Sequence, residues 1–158
     1  MGALDPNKPL YGSVFGGWDD FAIKATQGFG AKFDFRRSNY GFIRQETSGF
    51  EGTPIILTYG RYINPGSADQ FMPALEEMYE HDRQNMPALL ASTASRDPNN
   101  PDLFHIFYMW ANMQAYQDWF KAFGAPENVR GAKCRSFFDN NKPIEGKLFA
   151  KEYQSIQK

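Results

Sequence analysis

Residues 103–110 read LFHIFYMW and give the clearest indication of the protein's architecture. Eight nearly continuous apolar residues, bounded by polar ones, are typical of a strand that is covered on both faces. The residues before it, RDPNNPD at 96–102, are dense in turn formers, and residues 89–95 predict another strand. Together they predict a β-hairpin.

Upstream of the hairpin, the sequence predicts a strand followed by a helix. Residues 53–63, TPIILTYGRYI, are β-branched and aromatic, as strands are. Phe71, Leu75 and Met78 recur at i, i+4 and i+7, which predicts one apolar helix face. Ser67 and Gln70 fit a capping box, and Pro73 predicts that regular helix begins only there. The helix should end near residue 85, before Pro87.

Downstream, a second helix and a last strand complete the pattern. Asn112 can cap a helix that ends at Gly124, with an apolar stripe of Met113, Tyr116, Phe120 and Phe123. Residues 125–145 lack a clear period and read as a loop, and residues 146–156 as a strand. The order β-α-β-β-α-β predicts an α+β, ferredoxin-like fold, with two helices on one face of an antiparallel sheet. The other face should then be covered by a second subunit.

The chain divides near residue 52. Its 158 residues suit one domain with an extension. Residues 1–52 hold 9 of the 14 glycines and 7 of the 15 phenylalanines, and we interpret them as an irregular arm beside a domain of residues 53–158. Residues 11–18 should pack their rings on this chain or on a partner, while residues 32–36 and 40–44 could form a hairpin.

Composition excludes several functions. Lys plus Arg (17) balances Asp plus Glu (18), which argues against a broad nucleic-acid surface. The apolar runs are far shorter than the roughly 18 residues that span a bilayer. With Cys134 as the single cysteine, we expect no disulfide, no cysteine-based metal site and a reducing compartment, the cytoplasm or an organelle reached after transit-peptide removal. An aromatic content of 16% instead indicates a pocket or interface lined with rings.

Three motifs carry a family resemblance. They are YGRYINPG at 59–66, RDPNNP at 96–101 and WANMQAY at 110–116. In that order and spacing they resemble the antibiotic biosynthesis monooxygenase family, a branch of the dimeric α/β-barrel superfamily, over roughly residues 53–156. The resemblance implies a homodimer whose sheets face each other as a barrel. It also implies oxidation of phenols, quinols or polyketide anthrones without metal, flavin or other cofactor.

The sequence departs from two branches of the family. The anthrone-oxidising branch has an asparagine four residues before the tryptophan that Trp110 matches, where Ile106 stands here. The haem-degrading branch has an asparagine where Gly60 stands and a histidine after the second helix, and residues 126–130 contain none. This argues against haem degradation and weakens the case for anthrone oxidation.

The candidate substrate-binding residues are aromatic or apolar. Strand alternation places four of them on one face, which would line a pocket if it met the barrel interior and would otherwise be core. Tyr59, on the first predicted strand, would form another wall of the pocket. Tyr116, six residues after Trp110, matches a family tyrosine, although a core position in the helix stripe explains it as well. The six are Phe104, Ile106, Tyr108, Trp110, Tyr59 and Tyr116.

Two residues are candidate catalytic groups. His105, opposite in phase to Trp110, has the ordinary pKa of a proton acceptor, or is a structural histidine facing the helices. Arg61 could hold an anionic substrate, or form a salt bridge at the sheet edge. His81 and Glu77 suit a surface pair on a solvated acidic face, which also holds Glu76, Glu80 and Asp82, rather than a metal site. Cys134, between Lys133 and Arg135, could have a lowered pKa or be an inert thiol.

Two functions remain open from the sequence. The first is a cofactor-independent monooxygenase acting on a small aromatic molecule. The second is a non-catalytic barrel scaffold or accessory subunit that residues 1–52 dock into a larger assembly, or whose pocket they cover.

Overall fold

The apolar run forms strand β4, Leu103–Trp110, and all eight of its residues are buried. In the computed structural model, which describes residues 40–44, 49–150 and 155–157, β4 lies between β3 (Leu89–Arg96) and β2 (Ile55–Tyr62). Both pairings are antiparallel. The predicted hairpin and the predicted first domain strand are therefore confirmed.

The sheet extends beyond these strands. β1 (Tyr40–Ile43) pairs with β3, β5 (Glu145–Ala150) pairs with β2, and β6 (Ser155–Gln157) pairs with β5. The order β1-β3-β4-β2-β5-β6 contains the ferredoxin-like four-strand core β3-β4-β2-β5, so the predicted fold is confirmed. Two details differ: residues 146–156, predicted as one strand, hold parts of two strands, β5 and β6, that pair antiparallel with each other, and β1 joins the sheet edge. The predicted hairpin partner, residues 32–36, and the ring-rich residues 11–18 lie outside the described residues.

Helix α1 spans Ala68–Asn85 and continues through Pro73. It begins five residues earlier than predicted because burial of its apolar face outweighs the one hydrogen bond that proline removes. The predicted capping box is wrong, since the Ser67 hydroxyl donates to the Asn64 carbonyl oxygen at 2.6 Å instead. The predicted end before Pro87 is confirmed.

Helix α2 spans Met113–Gly124, as predicted, and the Asn112 side chain caps it by accepting from the Ala115 amide at 2.9 Å. Its buried residue is Trp119, which the predicted stripe omitted, whereas Phe120 is 40% exposed. A third helix, α3 (Val129–Arg135), lies within the region predicted to be a loop.

The sheet face opposite the helices is buried within one chain. Side chains on this face alternate in register with those under the helices. The following are all fully buried: Ile56, Thr58, Thr93, Phe107 and Met109. The expectation that this face waits uncovered for a second subunit is therefore wrong. None of the helices in the described part of the chain combines the length and apolar character that crossing a membrane requires.

Candidate functional site

The ring-bearing face of β4 points toward the helices. Phe104 packs edge-to-face on Phe71 of α1, with ring centroids 5.0 Å apart, and Tyr108 lies 6.0 Å from Tyr79 of the same helix. The hypothesis that this face meets the interior of a two-subunit barrel is therefore wrong. Any pocket that these rings line lies between the sheet and the helices of one chain.

Trp110 is the centre of an aromatic layer at one end of this space. Its ring centroid lies 5.0 Å from that of Tyr116, 5.6 Å from Trp119 and 5.4 Å from Tyr108. The structure thus brings together the tryptophan and tyrosine that the family resemblance singled out. Trp119, which the sequence analysis missed, completes the layer; its position three residues after Tyr116 is the helical spacing that could have revealed it.

A group of hydroxyls adjoins this layer. Tyr59 stacks near Tyr108 with centroids 6.2 Å apart, and Ser92 stands opposite Tyr108 in the register of β3 and β4. Burial raises the pKa of Tyr59 to about 12 and the pKa values of Tyr79 and Tyr108 well above 10. All three phenols therefore stay protonated and can donate hydrogen bonds.

Three buried polar atoms in this region have no hydrogen-bond partner among the described residues: the Tyr79 hydroxyl, the Ser92 hydroxyl and the Trp110 indole nitrogen. Tyr108 and Ser92 are close enough to the Tyr79 hydroxyl to lower its pKa, although burial outweighs them, and neither the Tyr79 nor the Ser92 hydroxyl meets the distance and angle of a hydrogen bond with a described residue. Buried polar groups are nearly always satisfied in native proteins. The unpaired atoms are therefore candidates for hydrogen bonds to a polar ligand.

Asp82 is a buried carboxylate at the edge of the layer. Its Oδ2 accepts a hydrogen bond from the Trp119 indole at 3.0 Å, and its Oδ1 lies 3.6 Å from His81 Nδ1. Burial raises the pKa of Asp82, although the hydrogen bond from Trp119 and the nearby His81 lower it. The expectation that Asp82 lies on a solvated acidic face is wrong, because the residue is buried. The signal was present: Asp82 follows Met78 by four residues, on the buried stripe.

His105 lies on the opposite face of the sheet from Trp110. Its Nε2 is 2.8 Å from Oδ2 of Asp97, and both side chains are buried. Asp97 also accepts from the backbone amides of Asn99 and Asn100. Burial alone would raise the pKa of Asp97, but these hydrogen bonds outweigh it and the pKa is lowered. His105 thus pairs with Asp97, at the start of the hairpin loop, and faces neither the aromatic layer nor the helices.

Arg61 shares the face of Trp110 but lies at the other end of the sheet. Arg61 pairs with Phe104, whereas Trp110 pairs with Ile55 six residues earlier on β2. At ~3.3 Å per residue this separation is about 20 Å. The predicted salt bridge is absent, because no carboxylate of the described residues lies within 4 Å of Arg61.

Two other candidates are structural. Burial raises the pKa of the Cys134 thiol to about 12, which outweighs the lowering by Lys133 and Arg135, so a reactive thiolate is ruled out. Glu77 lies 3.7 Å from both Arg130 and Lys133, and so bridges α1 to α3. Within the described ranges, no three His, Cys, Asp or Glu side chains cluster as metal ligands would.

Comparison with solved structures supports the fold. A candidate antibiotic biosynthesis monooxygenase from Caulobacter crescentus CB15 superposes with a TM-score of 0.53 at 14% identity, covering 63% of this chain and 91% of that one. One from Nitrosomonas europaea gives 0.52 at 10% identity, covering 65% and 93%. A candidate monooxygenase from Lactobacillus acidophilus NCFM gives 0.53 at 13% identity, covering 65% and 47%.

Sequence comparison names the family. A search of curated proteins finds no similar sequence. The family model described as antibiotic biosynthesis monooxygenase matches residues 55–124, from the first residue of β2 to the last residue of α2. This segment holds the aromatic layer, the hydroxyl group and Asp82. The chain therefore carries an antibiotic biosynthesis monooxygenase domain over these residues.

Proposed function

We propose that the domain is a cofactor-independent monooxygenase that binds a small, electron-rich aromatic molecule between the sheet and helices α1 and α2. The observation that carries this proposal is the set of unpaired buried atoms of Tyr79, Ser92 and Trp110. Each such group costs about 1–3 kcal/mol when left unsatisfied. A phenol or quinol would place its ring among the aromatic side chains and its oxygens within reach of these donors.

Asp82 is the proton acceptor in this proposal. Its carboxylate is tied to Trp119, whose ring lies 4.8 Å from Tyr108 and 5.6 Å from Trp110. A carboxylate with a raised pKa is a better base than an ordinary one. This assigns to Asp82 the role that the sequence analysis gave to His105, which faces away from the layer.

The proposed reaction needs only the substrate and O₂. Asp82 takes a proton from an acidic CH₂ group of the substrate, such as that of an anthrone, and the resulting anion gives one electron to O₂; the second hydrogen of this carbon leaves later in the water. The substrate radical and superoxide join through a C–O bond, and the proton on Asp82 returns to form a hydroperoxide. Loss of water breaks the O–O bond and leaves a carbonyl, so one oxygen atom enters the product and the other leaves as water. The buried layer excludes bulk water from these intermediates.

Oxygen uptake with a panel of anthrones and quinols tests the proposal, with a metal chelator present. Wild type should consume O₂ and convert at least one substrate. Asp82→Asn should lower kcat by roughly 100-fold or more, as expected for loss of a general base. Tyr79→Phe should raise KM, because it removes a hydroxyl that no described residue binds.

Tyr62→Phe provides the control, since it removes a half-buried hydroxyl on the other face of the sheet. Its kinetics should equal those of wild type. If the panel gives neither oxygen uptake nor ring binding, or if Asp82→Asn keeps full kcat, the proposed chemistry is wrong.

A second candidate is the non-catalytic accessory subunit. Ile106 favours it, because this buried isoleucine stands where the anthrone-oxidising branch has its asparagine. In that case residues 1–39 would dock the domain into a larger assembly. Light scattering of a chain that begins at residue 40 tests this: the assembly should become smaller, and an unchanged size would contradict the docking role.

The homodimer also belongs to this proposal, on the family resemblance alone. A barrel formed through the face that carries Phe107 and Met109 would first have to expose side chains that one chain already buries. We therefore infer that a dimer would use a different surface. Analytical ultracentrifugation across a concentration series would show a single monomeric species if no dimer forms.

A further inference from the structure

Arg61 is a buried cation that has no carboxylate partner among the described residues. Its side chain sits on β2 with the residue only 7% exposed. Within the described part of the chain, its Nε has no hydrogen-bond acceptor and no Asp or Glu oxygen lies within 4 Å. Charged groups buried in proteins are normally paired, because an unpaired one costs several kcal/mol.

The guanidinium is nevertheless held in a fixed position. Its Nη2 donates to the neutral Oδ1 of Asn140 at 3.0 Å, and its carbon lies 4.3 Å from the ring centroid of Phe138. Burial lowers the pKa of Arg61, although Tyr59 and Asp139 raise it. The fork of the guanidinium is thus oriented by neutral groups, which leave a donor available.

We propose that Arg61 forms an anion-binding site that takes the carboxylate of the substrate. A planar guanidinium matches the two oxygens of a carboxylate, and a charge-assisted hydrogen bond is about twice as strong as a neutral one. An incoming carboxylate would satisfy Nε and neutralise the buried charge at once. The segment that bears Asn140 is exposed, so a ligand can reach the site from solvent.

The site adjoins the Tyr59 side of the proposed ring-binding region rather than its Trp110 end. Arg61 and Tyr59 lie on the same face of β2, two residues and therefore about 6.6 Å apart along the strand. That spacing suits one aromatic ring bearing a carboxylate. The substrate class that follows is an aromatic carboxylate; the ring part rests on the proposed function, whereas binding of the anion does not.

Titration with small ligands separates the two parts. Benzoate, phenyl phosphate, benzyl alcohol and acetate are added to the full chain, and binding is followed by calorimetry. Benzoate should bind wild type at least tenfold more tightly than benzyl alcohol. Arg61→Gln should remove that preference and leave benzyl alcohol binding unchanged, while Arg61→Lys should retain part of it.

Lys142→Gln is the matched control, because it removes an exposed positive charge 5.6 Å from the ring of Tyr62, on the opposite face of β2. It should leave benzoate binding unchanged, and an equal loss in both variants would overturn the proposal. Equal affinity for benzoate and benzyl alcohol in wild type would also overturn it, as would tighter binding of phenyl phosphate. If acetate binds as tightly as benzoate and its binding also depends on Arg61, the anion-binding site is supported and the ring-binding site of the proposed function is wrong.

Discussion

The indole of Trp119 on α2 donates a hydrogen bond to the buried carboxylate of Asp82 on α1, with 3.0 Å between Nε1 and Oδ2. This bond joins the two helices that cover the sheet. It also directs a negative charge to the edge of the aromatic layer, where no lysine or arginine neutralises it within 4 Å among the described residues. Burying the charge of Asp82 therefore costs folding free energy that packing alone does not require.

We expect Asp82→Asn to stabilise the protein at neutral pH. Because the pKa of Asp82 is raised by folding, the folded state binds this proton more tightly than the unfolded state. Stability therefore falls as pH rises from the unfolded pKa, ~3.9, through the higher folded value. Asparagine keeps an acceptor for Trp119 without the charge. Urea unfolding at pH 7 should show a gain on the order of 1 kcal/mol.

The same variant provides a control through its pH dependence. Near pH 3 the wild-type carboxyl is protonated in both states, so the gain should shrink toward zero. A variant that is less stable at pH 7, or a gain that persists unchanged at low pH, would show that the charge of Asp82 supports the fold.

Arg61→Met should not weaken the fold. The substitution removes a buried charge that has no carboxylate partner in the described part of the chain, and methionine fills a similar volume. The free energy of unfolding in urea should rise on the order of 1 kcal/mol. A loss of stability would mean that the contacts with Asn140 and Phe138 outweigh the cost of burying the charge.

Cys134 should resist alkylation in the native protein. With a pKa of about 12, roughly one molecule in 10,000 carries the thiolate at pH 8, and the residue is fully buried. Iodoacetamide labelling followed by mass spectrometry should give no adduct in buffer and a full adduct in guanidinium chloride. Rapid labelling of the native chain would contradict the buried position.

Gly41→Ala should loosen the edge of the sheet. Gly41 has φ of +137°, and an added Cβ would lie 2.1 Å from the carbonyl oxygen of Ser92. Both effects oppose alanine, so we expect a loss of roughly 1–3 kcal/mol. Gly124→Ala is the control, since nothing lies within 4 Å of its added Cβ; its unfolding midpoint should match wild type or exceed it. Equal midpoints for both variants would show that β1 does not require glycine.

Local sequence signals predicted most of the fold. The run at residues 103–110 gave a strand with those bounds, and Asn112 and Gly124 marked the limits of α2. These features depend on neighbours along the chain, namely turn residues, caps and short apolar periods. Helix α3 was missed because seven residues around Gly131 are too few to show a period.

The site was harder to predict, because alternation separates two faces without saying which one meets the helices. Trp110 and His105 were correctly placed on opposite faces, but the layer that each face packs against was reversed. Asp82 was hidden among Glu76, Glu77 and Glu80, whose charges mask the helical spacing from Met78. Such assignments depend on tertiary packing, which a single sequence does not contain.

Arg44, which directly follows β1, forms hydrogen bonds with the backbone at the end of α1. Its guanidinium donates to the carbonyl oxygens of Leu89, Arg83 and Met86 at 2.7, 2.7 and 3.0 Å. The last two belong to the turn where α1 ends, so a residue from the N-terminal third of the chain serves as the C-terminal cap of the helix that bears Asp82. A truncated gene for this domain should therefore begin at codon 40, because a gene that begins at codon 53 would lack Arg44 as well as the arm.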